Sequence, residues 1–231
     1  MKKSALIFLI TVFVCVLTVM TASADFKDDF TDTDHAANGW RERLLFGMPG
    51  TEYLFPEEGK LSIHMPDYNT ALYLLNENTD AADSTVELTI DHVFSRHAEV
   101  GLICRYHEDG WYELRAALSG QYAGSFILYR YDEALKAEGK NPFVSLHPEM
   151  LRYYTKDIKI GRNAQNTFKM ICEEDEIRIL INGKEQASPW NGKFAADVWT
   201  DGLSGFSVWS EKPYALAQID ALNFRAFFEE E

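Results

Sequence analysis

The chain has 231 residues, 46% of them hydrophobic and 13% aromatic, and carries 36 acidic against 22 basic residues for a net charge of −14. That length is enough to bury a sizeable core, and the negative balance argues against nucleic acid or an anionic membrane surface as a partner.

The first 24 residues read as a unit of their own. Lys2 and Lys3 precede an apolar run over residues 5–20, and Thr21-Ala22-Ser23-Ala24 closes it with an Ala-x-Ala pattern before Asp25. These are the basic, apolar and small-residue parts of a secretory signal peptide, and the apolar run with its flanks is too short to span a bilayer. The expectation is a secreted or extracytoplasmic protein, cleaved near Ala24, with one domain over residues 25–231. Without Lys2 and Lys3 that domain has 20 basic and 36 acidic residues, a net −16. Cys15 sits between Val14 and Val16, which does not fit a lipoprotein anchor. No second long apolar run follows, so no membrane span is expected in the mature chain.

The mature chain reads as short strands separated by turns. Residues 61–65 alternate apolar and polar, 71–75 form a continuous apolar run, and 85–90 alternate with Val86, Leu88 and Ile90 on one side. Residues 100–106 and 111–116 flank His107-Glu108-Asp109-Gly110, whose Asp-Gly pair is a hairpin signal. An aromatic strand covers 125–131, although period-2 logic does not say which of its apolar faces points inward. A second hairpin joins 167–173 to 177–181, Asn182-Gly183 turns the chain again, and 203–210 and 216–228 complete the series. Between them, residues 132–155 break the rhythm. A short helix is expected over 132–137, stopped at Gly139, and another from Pro148. Cys104 and Cys172 both fall in strands. The reading is two buried free thiols, with a disulfide as the alternative that an oxidising compartment permits.

Three stretches resemble the concanavalin A-like jelly roll. They look most like its laminin-G-like branch and the bacterial 3-keto-disaccharide hydrolase-like domains. The first is Asp28-Asp29-Phe30 followed by Asn38-Gly39-Trp40. The second is Val100-Gly101-Leu102 with Arg105-Tyr106 and then Trp111-Tyr112-Glu113-Leu114. The third runs from Gly161-Arg162-Asn163 through Phe168-Lys169-Met170 and Ile177 to Asn182-Gly183-Lys184, and Ile219-Asp220-Ala221-Leu222-Asn223-Phe224 resembles the usual last strand. The resemblance implies an all-β, two-sheet antiparallel jelly-roll sandwich with one partly helical loop excursion.

It also implies carbohydrate as a ligand. A pyranose has a C–H face and a hydroxyl rim, so its site needs aromatic rings flanked by hydrogen-bonding groups. Arg105, Trp111, Glu113, Arg115, Tyr129 and Tyr131 on the central strands are the candidate ligand-binding residues. Trp190 and Trp199 lie in loops, Tyr153 and Tyr154 in the excursion, and Trp40 and Trp209 are assigned to the core. Glu113 with Arg115 reads first as a surface ion pair. Related glucanases carry a Glu-x-Asp-x-x-Glu strand; the nearest approach here, Glu173-Glu174-Asp175-Glu176, falls at a turn. A structural calcium ion held by Asp28, Asp29 and Asp220 is a further implication; otherwise no cofactor is expected. His92 and His97 read as solvated strand-end residues with no zinc spacing. The expected function is a secreted, non-catalytic carbohydrate-binding domain. A glycoside or 3-keto-disaccharide hydrolase-like enzyme and an extracellular protein-interaction module are the alternatives.

Overall fold

The computed structural model describes residues 25–47, 54–57, 59–65, 69–146, 152–186, 194–210 and 216–228. The signal-peptide stretch, the helix expected at Pro148 and Trp190 lie outside them. In chain order the strands are β1 (Phe26–Asp28), β2 (Trp40–Phe46), β3 (Leu54–Glu57), β4 (Lys60–Met65), β5 (Thr70–Asn76) and β6 (Ser84–Arg96). Next come β7 (Ala98–Tyr106), β8 (Gly110–Ala117), β9 (Ser125–Asp132), the helix α1 (Glu133–Ala137), β10 (Phe143–Ser145) and β11 (Tyr153–Tyr154). The last are β12 (Ala164–Glu173), β13 (Glu176–Ile181), β14 (Lys184–Glu185), β15 (Phe194–Ala195), β16 (Leu203–Ser210) and β17 (Leu216–Phe227).

Among the described residues these strands form two antiparallel sheets. One runs β14-β13-β12-β6-β17-β4-β3, with β1 on β17 and β15 on β13; the other runs β10-β9-β8-β7-β16-β5-β2, with β11 on β9. The alternation of the first sheet produces the core directly. Val86, Leu88 and Ile90 of β6, Phe168 and Met170 of β12, and Ile177, Ile179 and Ile181 of β13 all point inward and are buried. The second sheet answers with Leu72, Leu74, Val100, Leu102, Leu114, Phe206 and Val208. Phe126 and Leu128 belong to this core, which settles the ambiguous strand: Ile127, Tyr129 and Tyr131 face outward.

Among the described residues both sheets end in strands that are short, carry proline or are lined by charge. β14 has two residues and β10 three, β3 carries Pro56, and β2 carries Arg41, Glu42 and Arg43.

The excursion is helical where expected. Asp132 caps α1, its carboxylate accepting from the Ala134 and Leu135 amides. The chain then returns to β9 as β10 rather than remaining a loop.

Two expectations are corrected. Cys104 and Cys172 form a disulfide, because β7 and β12 face each other across the core. His92 is 3% exposed, because it continues the inward row of β6.

Candidate functional site

Strand β8 positions the site by its period of two: Tyr112, Leu114 and Ala116 enter the core, so Trp111, Glu113 and Arg115 stand on the outer face. Neighbouring strands bring their own outward residues to the same surface. Tyr73 comes from β5, Ser207 and Trp209 from β16, Ile103 and Tyr106 from β7, and Tyr131 from β9, and all are buried. This face is a second layer of packing, separate from the core between the sheets.

Glu113 is at its centre and has no exposed surface. One carboxylate oxygen accepts from Ser207 Oγ at 2.6 Å and Trp209 Nε1 at 2.8 Å. The other accepts from the Tyr73 hydroxyl at 2.7 Å and Trp111 Nε1 at 3.4 Å. Arg115 completes the set, with Nη2 at 3.3 Å and Nε at 3.1 Å from the two oxygens. The expected surface ion pair is therefore a buried one. A buried carboxylate is tolerated only when its lone pairs are satisfied, as here. Burial and the Glu113 charge push the Tyr73 hydroxyl well above the usual tyrosine range, so it stays a donor. Burial alone would lower Arg115, but Glu113, Tyr73 and Glu99 together more than offset it, and the guanidinium remains charged.

Arg115 also organises aromatic rings. Its guanidinium lies 3.4 Å from the Trp209 centroid, 4.2 Å from Phe143 and 4.7 Å from Tyr129. Trp111 and Tyr131 stack at 3.8 Å. Above this buried layer is a partly exposed one. Arg43 sits over Tyr106 and Trp111, Phe46 packs on Trp209, and Tyr129 and Phe143 are half-buried.

Five of the six candidate ligand residues thus share one face. Arg105 does not join them. Its guanidinium donates to the carbonyls of Ala82, Ala196, Trp199 and Glu174 and to Asp83, tying loops together at one end of the sandwich. Trp209, assigned to the core, belongs to the outer face, while Trp40 is in the core against Phe206 and Phe224. Trp199 caps Gly110, and Tyr153 packs on Phe126.

The three candidate calcium ligands are engaged by protein groups. Asp28 accepts from the Phe30 amide and Trp40 Nε1, Asp29 from Thr31, and Asp220 from Ser62 while pairing with Lys60. Among the described residues no three His, Cys, Asp or Glu side chains converge.

Tyr73, Ser207 and Phe143 escaped the sequence reading. Tyr73 lay inside an apolar run, but Gly205-Ser207-Trp209 is a small–polar–aromatic alternation that marks an outward row.

No protein-family model matches the sequence, and no curated protein matches it. Solved structures do. A beta-agarase A in complex with oligoagarose is 12% identical, with a TM-score of 0.61 over 87% of this chain and 89% of that one. The Bacillus licheniformis beta-glucanase is 10% identical, with a TM-score of 0.60 over 89% and 98%. The carbohydrate-binding module CBM66 from Bacillus subtilis is 12% identical, with a TM-score of 0.55 over 80% and 95%. The fold is the concanavalin A-like jelly roll.

Another outward carboxylate on this sheet is Glu99, which pairs with Arg152. Glu99 lies opposite Ala117, four residues along β8 from Glu113, or about 13 Å at ~3.3 Å per residue.

Proposed function

We propose that this jelly roll is an extracytoplasmic carbohydrate-binding module that holds an oligosaccharide without cleaving its glycosidic bonds. The observation that carries the reading is the outer sheet face: a row of aromatic rings braced by one buried Glu–Arg pair, on the side away from the core. A sandwich that needed only stability would make that face polar and solvated. The contacts with sugar come from the partly exposed layer, in which Tyr129 and Phe143 offer ring faces and Arg43 a donor fork. Glu113, Arg115 and Trp111 position that layer from beneath. The complete coordination of Glu113 by protein donors supports binding over hydrolysis. Secretion through the 24-residue leader accords with the disulfide.

A glycan-library screen of residues 25–231 tests this. One oligosaccharide class is expected to be retained, with Phe143→Ala or Tyr129→Ala weakening it about tenfold through the lost stacking surface. No retention, or retention unaffected by both substitutions, rejects the reading.

A further inference from the structure

A second constellation lies away from the aromatic face, where β6 meets the turn before β12. The pairing of β17 with β6 slips by one residue there: Gln218 opposes Phe94 and Ile219 opposes His92, leaving Val93 as a bulge. A bulge breaks the period of two and re-aims side chains. His92 and Ser95 are thereby brought together, with His92 Nε2 2.5 Å from Ser95 Oγ. His92 Nδ1 is 2.9 Å from the Gly161 carbonyl, and Ser95 Oγ is 2.8 Å from Ser119 Oγ, which accepts from the Ala98 amide at 3.1 Å.

The protons follow from the partners. A carbonyl oxygen only accepts, so Nδ1 carries the hydrogen. Burial holds the ring below the usual histidine pKa, against the opposing pull of Gly161, and keeps it neutral. Nε2 is then bare and accepts from the Ser95 hydroxyl, which also reaches Ser119 Oγ as an acceptor. Serine, imidazole base and a group orienting the base are the three parts of an activated nucleophile. They line a groove of about 340 Å³ whose walls include Phe94, Leu118, Ala123 and Ile160.

We propose that Ser95, with His92 as its base, is an acyl-accepting nucleophile for small apolar esters. Ser95 Oγ attacks the ester carbonyl and its proton passes to His92 Nε2. The C–O bond to the leaving alcohol breaks, and that alcohol takes the proton from His92. Water, deprotonated by the same ring, then releases the acid and regenerates Ser95. This site is independent of the carbohydrate reading.

The test is capture of an alkyl fluorophosphonate by the full-length protein, mapped by peptide mass spectrometry. One adduct at Ser95 is expected, absent from Ser95→Ala and from urea-unfolded protein, and forming at least about 100-fold more slowly in folded His92→Gln. Absence of a Ser95 adduct from the wild type overturns the proposal, as does an adduct that survives unfolding. Should His92→Gln not fold, wild-type capture and its loss on unfolding still decide.

Discussion

Gly101 is the residue on which the aromatic face rests. An added Cβ there would lie 2.2 Å from Ser207 Oγ and 2.8 Å from Glu113 Oε1, both fixed by hydrogen bonds. Gly101→Ala should therefore cost about 1–3 kcal/mol as the carboxylate is pushed off its donors. Urea unfolding with a near-ultraviolet tryptophan signal reads both stability and the shift of Trp111 and Trp209; an unchanged protein would refute this role for Gly101. The outward position of Glu113 and Arg115 was legible from simple alternation. Their burial was not, because it depends on Tyr73, Ser207 and Phe143 arriving from strands remote in sequence. His92 gives the pH-sensitive counterpart. Its folded pKa lies below the ordinary 6.5, so the unfolded chain takes up the proton more readily. The stabilisation is present above pH 6.5 and is lost as pH falls through the folded value. Wild-type stability should thus decline between about pH 7 and 5 in urea titrations, and His92→Gln should flatten that slope.

At the scale of elements, β7 and β12 belong to different sheets and are joined by the Cys104–Cys172 bridge, 68 residues apart in sequence. Closing a loop of that length restricts the unfolded chain, so Cys104→Ala with Cys172→Ala should cost about 4 kcal/mol. Denaturant unfolding of the double variant against the oxidised wild type measures it. A cost below about 1 kcal/mol would mean that packing alone holds the sheets together. The alternating stretches 85–90 of β6, 167–173 of β12 and 177–181 of β13 were readable, since one face of each is polar, while the ends of β6 and β12 were not. The pairing of the cysteines was not, because strand periodicity carries no information about which strand lies opposite across a core. The bulge at Val93 was equally hidden: it arises from pairing with β17, and nothing local in β6 announces it.

For the molecule as a whole, the sandwich was legible because turn residues punctuate the chain at short intervals and apolar alternation repeats between them. The short strands β10, β11, β14 and β15 have no such signature, being defined only by the neighbours on which they dock. Some of those same brief strands form the borders of the sheets. An unpaired strand border is an invitation to another chain, and a fold built chiefly of strands carries that hazard. Among the described residues each sheet stops at a border that is cut to two or three residues, interrupted by Pro56, or lined by Arg41, Glu42 and Arg43. Crowded copies thereby find little template for cross-chain ladders along these borders.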